Sequence, residues 1–317
     1  MRDPTEVAAK AKSVSSRIKD VARKGGLDTM ALLKRYALER FLARLSAGPH
    51  GKSFTLKGGL VMPLVTGNMA RPTDDIDGSF EHEMTPDEVR AFIAEISATD
   101  PPDEDGMVYG TGKVDVLPIR EGLLPGARVT FDAELATEPR PNMLRIKVDL
   151  CYGDHILPDP VWRTLPVSLP GTVPTDMLCY HWASVFSEKL HAIYRHGDTN
   201  TRMKDYNDLL ALSRNLDLDG PDLVQALEGT FRMWGGTLTA DAVGLTDRFA
   251  ASKAQAWRQF RKTPAGRTAD TDDFQVVVRE VRAFAMPVVE ACLSGERPND
   301  DWVAGKGWVT RAVAPTP

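Results

Sequence analysis

Cysteine is scarce in this sequence, and long apolar runs are absent. The three cysteines, Cys151, Cys179 and Cys292, form an odd and widely spaced set, which favours reduced thiols over a disulfide framework. No apolar run approaches the roughly 20 residues that a membrane-spanning helix needs. The opening segment MRDPTEVAAKAKSVSSRIKD lacks the apolar core of a secretory signal. We therefore expect a cytoplasmic protein with no membrane partner.

The remaining composition is that of a soluble globular protein without a histidine metal centre. Hydrophobic residues make up 42% of the chain and charged residues 26%. A length of 317 residues suffices for one large or two ordinary domains. The nearest pair among the six histidines, His191 and His196, is five residues apart, which is not a metal-ligand spacing. We expect each histidine to be a surface or packed residue.

Charge is distributed unevenly along the chain, although the net charge is only −5. Residues 1–50 contain eleven Lys and Arg against five Asp and Glu, whereas residues 72–159 contain seven against twenty. The net negative charge argues weakly against a nucleic-acid partner, but the basic residues 1–50 make such a partner possible again. For residues 1–50 taken alone, a pair of solvated basic helices is the simpler interpretation.

Hydrophobic periodicity predicts a mixed sheet of the α/β or α+β class followed by a helical region. Helices are predicted over 5–24 and 28–46, and Thr85-Pro86-Asp87-Glu88 is a capping-box start for another. Strand-like segments fill 107–152. Beyond Pro174 we predict helices over 175–196, 203–214, 219–230, 238–262 and 271–294, then an irregular tail that wraps the surface. The proline-rich segment 160–174 is the expected boundary, with domains at 1–170 and 171–317.

The first candidate site lies in the stretch from Leu56 to Phe80. Gly58 and Gly59 form a diglycine turn at which backbone N–H groups can approach phosphate oxygens. Asp75 and Asp77 are separated by one apolar residue, so a strand would place both carboxylates on one face. Two such carboxylates repel each other unless a cation lies between them. The pattern indicates a Mg²⁺-assisted phosphate site.

A second segment, Ile146-Lys147-Val148-Asp149-Leu150, alternates in the same way. Lys147 and Asp149 would lie on one face of a strand and the apolar residues on the other. Asp149 is a candidate third metal carboxylate. An ordinary salt-bridged strand surface explains the segment equally well.

The third candidate is a pair of helices that contain Lys189 and Asp205. Lys189 lies in an otherwise apolar stretch, where an ammonium needs a phosphate or a carboxylate as its partner. Asp205 and Asp208 are three residues apart and share a helix face. Taken alone, a buried ion pair between Lys189 and Asp205 that joins the two helices explains these residues best.

Together and in this order, the segments resemble a known family. The motifs LKGG, RPTDDID, KVDL, SEKLHAI and RMKDYNDL are similar to those of the nucleotidyltransferase-fold toxins of the AbiEii type, which include the MenT-like toxins of type IV-style toxin–antitoxin systems. The resemblance covers roughly residues 30–310, with a C-terminal part from AWRQFRK through the helix FQVVVREVRAFAMPVVEACLSGE to the tail that contains Trp302 and Trp308. It implies an α+β fold, with a polymerase-β-like nucleotidyltransferase domain on a mixed sheet followed by an α-helical C-terminal domain that completes the active-site cleft.

The resemblance also implies roles for individual residues. Asp75 and Asp77 would bind the catalytic Mg²⁺, for which Mn²⁺ can substitute; Asp149 joins them as a candidate third ligand from the pattern of its own segment. Lys189 would contact nucleotide phosphates, and Asp205 would be catalytically required.

Further residues would contact the nucleotide. Lys57, Gly58 and Gly59 would line the triphosphate, and Arg71 matches the family's arginine before the metal carboxylates. Leu60 departs from the pattern, because many relatives have a hydroxyl residue there. The spacing from Gly59 to Asp75 is also longer than in minimal nucleotidyltransferases.

The function implied is that of a toxin that transfers a nucleoside monophosphate from an NTP to an acceptor hydroxyl, the 3′ end of tRNA, and so blocks translation. The implied partners are the NTP, tRNA and a cognate antitoxin protein. Residues 1–50 and the segment Trp257-Arg258-Gln259-Phe260-Arg261-Lys262 are candidates for RNA contact, although a packed amphipathic helix explains the second equally well. Alternative functions are nucleotidylation of a protein by the same site, a non-catalytic nucleotide-binding module and a purely structural ion-pair network.

Overall fold

The computed structural model describes residues 3–68, 73–110, 113–121, 124–137, 139–154 and 156–311. The chain forms two compact units. The first comprises Met1–Leu64, Met69–Asp154 and Val161–Cys179, and the second comprises Val65–Asn68, His155–Pro160 and Tyr180–Pro317. No helix in the described part of the chain is long and apolar enough to span a membrane.

The helices are α1 Pro4–Gly25, α2 Thr29–Ala47, α3 Pro63–Thr66, α4 Pro86–Ala98, α5 Trp182–His196, α6 Met203–Asn215, α7 Gly220–Trp234, α8 Asp247–Arg261 and α9 Phe274–Ser294. The strands are β1 Thr55–Lys57, β2 Asp75–Phe80, β3 Met107–Tyr109, β4 Asp115–Glu121, β5 Leu124–Leu135, β6 Asn142–Tyr152, β7 Val161–Leu165, β8 Thr175–Cys179, β9 Asp300–Val303 and β10 Gly307–Thr310.

The first unit is built on a mixed sheet, which confirms the predicted α+β class. The strand order is β3-β5-β6-β2-β1-β8-β7, and β4 pairs with β5. Strand β2 runs parallel to β6, and β1 runs parallel to β8. The other neighbouring strands are antiparallel.

One face of this sheet forms the core of the first unit because the strands alternate apolar and polar residues. On β6, Ile146, Val148 and Leu150 are buried. Helix α2 covers that face through Phe41, whose ring lies 5.1 Å from the ring of Phe131 on β5. The polar residues between these positions therefore lie on the opposite face of the sheet.

Local sequence signals fix where the helices begin. The side chain of Asp28 accepts a hydrogen bond from the backbone of Ala31 and caps α2. The predicted capping box at α4 is confirmed, with Thr85 and Glu88 bonded to each other's backbone. Each cap satisfies backbone N–H groups that the first helical turn leaves without an intrahelical acceptor.

The basic residues of α2 are largely internal rather than solvated. Arg44 donates to both carboxylate oxygens of Asp105 at 2.5 and 3.0 Å, and Arg40 Nε donates to the same carboxylate at 3.1 Å. All three side chains are at most 1% exposed. Burial alone would raise the pKa of Asp105, but the Arg44 and Arg40 charges and hydrogen bonds lower it below its usual value. These two arginines are thus not available to an RNA, contrary to the expectation for residues 1–50 as a whole.

The second unit contains helices α5 to α9 and a two-stranded hairpin. Aromatic rings join its helices, with centroid distances of 4.9 Å between Phe186 and Phe284 and 5.1 Å between Tyr206 and Phe274. The hairpin of β9 and β10 packs on α9 through Trp302, whose ring lies 4.7 Å from Phe284. The prediction of a helical C-terminal region is confirmed.

Three predicted elements differ from the structure. Residues 175–179 were expected to open a helix but form β8, because their backbone pairs with β7 and β1, a non-local partnership that periodicity does not reveal. The helix predicted from 238 begins at Asp247, where the side chain of Thr246 caps it. The tail expected to be irregular forms β9 and β10, since Trp302 and Trp308 anchor it to α9.

Candidate functional site

Strand pairing gathers polar residues of the first unit on one sheet face. In the parallel register of β2 and β6, Asp75 lies opposite Lys147 and Asp77 lies opposite Asp149. The antiparallel strand β1 places Lys57 opposite Asp77 on the other side. Ile76 between the two carboxylates of β2 is fully buried, so Asp75 and Asp77 point away from the core.

Asp75, Asp77 and Asp149 form a compact group of half-buried carboxylates. One oxygen from each lies within 4.8 Å of the others. Two oxygens on opposite sides of an octahedral Mg²⁺ are about 4.2 Å apart, since each Mg–O distance is about 2.1 Å. Small side-chain rotations would therefore bring all three oxygens into contact with one hard cation. The donor set fits Mg²⁺ or Mn²⁺, which prefer oxygen ligands.

Among the described residues, two cations have contacts with this group at known distances. Lys147 Nζ is 2.6 Å from Asp75 Oδ2 and 3.9 Å from Asp149 Oδ2. Arg128 on β5 donates Nε and Nη2 to the two oxygens of Asp149, each at 2.8 Å. Burial disfavours the charged form of Lys147, but the hydrogen bond and charge of Asp75 outweigh burial, so the pKa of Lys147 is raised. Asp149 is therefore both a member of the carboxylate group and a salt-bridged strand residue, and the two interpretations of its segment are compatible.

The diglycine turn lies directly beside Asp77. Gly58 has φ +71°, and a Cβ built on it would lie 1.9 Å from Asp77 Oδ2. Glycine at this position leaves the space that the Asp77 carboxylate occupies. Residues 58–60 form one turn of 3-10 helix, and the side chain of Leu60 is buried.

Lys57 is almost fully buried at the end of β1. Its side chain is 4% exposed, and Nζ lies 3.9 Å from Asp154 Oδ2, whose side chain is 9% exposed. A charge at this depth requires an anionic partner, which Asp154 supplies. Sequence reasoning named Lys57 but not Asp154, which follows β6 and carries no local signal.

A second cluster of charges lies in the second unit. Lys189 Nζ on α5 is 2.6 Å from Asp208 Oδ2 and 3.4 Å from Asp205 Oδ1, both on α6. Arg202 Nε donates to Asp205 Oδ2 at 2.5 Å. Both carboxylates are at most 2% exposed, whereas Lys189 is 12% exposed. Burial favours protonation of Asp205, but the charges of Lys189 and Arg202 outweigh burial, and the pKa of Asp205 is lowered.

Comparison with known proteins identifies a family whose model covers both clusters. The family model described as "Nucleotidyl transferase AbiEii toxin, Type IV TA system" matches residues 40–280, which contain both clusters. The chain belongs to the AbiEii family. No curated protein matches it. The crystal structure of JHP933 from Helicobacter pylori is similar at a TM-score of 0.47 and 13% identity, over 85% of this chain and 96% of that chain.

The structure of this AbiEii protein brings together most of the predicted site residues within each unit. Asp75, Asp77 and Asp149 form one group beside the diglycine turn, and Lys189 contacts Asp205. The predicted Arg71 lies outside the described residues.

The sequence did not reveal two contacts of the candidate site residues. Arg128 binds Asp149 from a neighbouring strand; its alternation with Ala127 and Val129 placed it on the polar face, but only the register identifies its partner. Asp208, rather than Asp205, is the nearer partner of Lys189. Its position three residues after Asp205 on the same helix face was the available signal.

The segment proposed for base stacking is partly internal. Trp257 is fully buried, donates its indole N–H to the carbonyl of Thr271 at 3.1 Å and stacks on Phe274. The packed-helix interpretation is therefore right for this tryptophan. Arg258 and Lys262 are exposed, and the half-buried ring of Phe260 lies 5.4 Å from the ring of Trp257.

Proposed function

We propose that this AbiEii-family protein transfers a nucleoside monophosphate from an NTP to the 3′-terminal hydroxyl of tRNA. The observation that supports this best is the group of Asp75, Asp77 and Asp149 on the sheet face of a chain that belongs to a nucleotidyltransferase toxin family. Such carboxylate groups serve phosphoryl-type transfer. The acceptor hydroxyl would release its proton to water and its oxygen would bond to the α-phosphorus, while the bond between that phosphorus and the bridging oxygen would break and pyrophosphate would leave with the electron pair of that bond.

Asp75, Asp77 and Asp149 would hold Mg²⁺, or Mn²⁺ in its place. When bound, the cation supplies positive charge that offsets the charge of the triphosphate and of the attacking oxygen. Arg128 fixes both oxygens of Asp149 through a planar pair of hydrogen bonds. Gly58 leaves the space in which the carboxylate of Asp77 lies.

Lys57, Gly58 and Gly59 are proposed to contact the triphosphate, the first by charge and the glycines through backbone N–H groups. Lys189, whose side chain is 12% exposed, is proposed to contact phosphate oxygens. Asp205 and Asp208 hold the Lys189 ammonium in one position. Because its pKa is lowered, Asp205 is a poor proton acceptor, so we assign it to positioning Lys189 rather than to activating the acceptor.

The RNA acceptor requires a positively charged surface. With Arg40 and Arg44 internal, three of the exposed cations of α1 are the better candidates within residues 1–50, namely Lys12, Lys19 and Arg23. Their spacing of seven and four residues places them on one helix face. Blocked translation, with a cognate antitoxin that prevents it in the cytoplasm, would be the physiological consequence.

The test is incorporation of label from each α-³²P NTP with Mg²⁺ and total tRNA. Wild-type protein should label tRNA, and Asp77→Asn and Lys189→Met should lose labelling by about 10²-fold or more. Asp74→Asn is the matched control, because Asp74 is the adjacent carboxylate, is exposed and pairs with Lys34 instead of joining the group. Circular dichroism of each variant separates lost activity from lost structure.

Three outcomes would contradict the proposal. Label that moves to protein would indicate protein nucleotidylation by the same site. Nucleotide binding without pyrophosphate release would indicate a binding module. Labelling of tRNA that survives both Asp77→Asn and Lys189→Met would overturn the assignment of the site.

A further inference from the structure

Lys147 occupies a position that a divalent cation would need. Its Nζ lies between Asp75 and Asp149, at 2.6 and 3.9 Å from their Oδ2 atoms. Both carboxylates belong to the group whose oxygens fit a metal ion. An ammonium and a divalent cation repel each other strongly at such distances. The side chain of Lys147 must therefore move before a metal ion binds here.

Arg128 contacts the same group in a different way. Its two hydrogen bonds to Asp149 are parallel and of equal length, and such a planar pair holds one geometry. Lys147 makes one short contact at the end of a flexible stem, and its side chain is 32% exposed. It can turn into solvent without a backbone change. Of these two cations, Lys147 is the one that a metal ion can displace.

The charges of the carboxylates and the two cations also favour displacement of Lys147 by a metal ion. Counted over these five side chains alone, the three carboxylates, Lys147 and Arg128 sum to one net negative charge. With a divalent cation in the group and the ammonium of Lys147 turned away, the carboxylates, Arg128 and the ion sum to zero. Within this set of side chains the exchange replaces one positive charge by a divalent ion, and Lys147 limits the repulsion between the carboxylates before metal binding.

We propose that Lys147 is a resident counter-ion that competes with the divalent cation for Asp75 and so sets the metal concentration at which the site fills. This rests on the proposed function, in which these carboxylates hold the metal. Lys147 is a residue that determines metal affinity and, by the same competition, the cation concentration at which the protein is active.

The experiment titrates the protein with Mn²⁺, without NTP or RNA, and follows the EPR signal of unbound Mn²⁺. Lys147→Met should bind Mn²⁺ about tenfold more tightly than wild type, the change that about 1.4 kcal/mol of lost competition produces. Lys34→Met is the matched control, since Lys34 contacts Asp74 at 2.9 Å, next to the group but outside it. It should change the affinity by less than about twofold, the effect of a distant, screened charge. Lys147→Gln repeats the test with a polar side chain should the Met variant fold poorly.

The outcomes separate the two proposals. If wild type binds Mn²⁺, Asp77→Asn does not, and Lys147→Met binds no more tightly than wild type, the competition is refuted and the metal assignment stands. Weaker binding by Lys147→Met and Lys147→Gln would also refute it, because Lys147 would then hold Asp75 in place for the metal. If neither wild type nor the Lys147 variants bind Mn²⁺, the metal assignment falls and the competition falls with it.

Discussion

Gly58 is expected to control the position of the Asp77 carboxylate, and Gly58→Ala tests this directly. The added Cβ would lie 1.9 Å from Asp77 Oδ2, 2.6 Å from its Cγ and 2.8 Å from its Cβ. Rotation of the Asp77 side chain about its Cα–Cβ bond moves Cγ and Oδ2 and can relieve the first two contacts, but it leaves Cβ in place. The turn and β2 must therefore separate, by about 0.6 Å to reach an ordinary carbon contact of about 3.4 Å or more.

Two effects lower the folding stability of Gly58→Ala. A left-handed backbone costs a non-glycine residue roughly 1–2 kcal/mol, and the shift of Asp77 adds about 1 kcal/mol for an off-rotamer side chain. We expect about 2–3 kcal/mol of lost stability from these terms. Because a displacement of about 1 Å at a reacting group can cost about 10²-fold, nucleotidyl transfer should fall by about that factor.

The matched control is Gly26→Ala. Gly26 has φ +62° at the end of α1, and a Cβ there meets nothing within 4 Å. This variant carries the same backbone cost without the contact to Asp77, so it should lose about 1–2 kcal/mol and keep full activity. Urea unfolding and tRNA labelling measure the two quantities. Equal activity in Gly58→Ala and wild type, or equal loss in Gly26→Ala, would refute the role of Gly58.

Two further predictions concern the second unit. Because its pKa is lowered, the Asp205 carboxylate stabilises the fold above its ordinary pKa of about 3.9 and loses that contribution as pH falls towards its folded pKa. The difference in unfolding free energy between wild type and Asp205→Asn should therefore be constant near neutral pH and shrink below about pH 4. Urea unfolding at several pH values measures this difference, and a difference that grows in acid would contradict the prediction. Trp257→Ala should lower the unfolding free energy by about 3–5 kcal/mol because the ring is fully buried. A filter-binding titration should show unchanged tRNA affinity for the folded variant. Weaker RNA binding at unchanged stability would instead support a role of Trp257 in base stacking.

Local sequence signals predicted the framework of the candidate site. The period of two placed Asp75 and Asp77 on one strand face, and likewise Lys147 and Asp149, because side-chain direction in a strand depends only on neighbouring residues. Caps at Asp28 and Thr85 located helix starts for the same reason. These features need no knowledge of which strand pairs with which.

The features that were missed depend on non-local pairing. Residues 175–179 form a strand because β7 and β1 lie on either side of them. Arg128 reaches Asp149 because β5 and β6 pair in one register, and a shift by one residue would point Arg128 to the other face. Asp105 pairs with Arg40 and Arg44 across more than sixty residues. No periodicity in the sequence contains these partnerships.

The degree of burial distinguishes ionic clusters whose residue types are similar in the sequence. Arg44 and Asp105 are fully buried, so removing either would leave a charge that water cannot reach. Lys147 and Asp75 are about one third exposed, so their contact can exchange for a ligand at little cost. Lys189 lies between these cases, with buried carboxylate partners and a side chain that is 12% exposed. Its ammonium fixes α5 to α6 through both carboxylates, and the proposed contact with a phosphate would add to this structural role without replacing it.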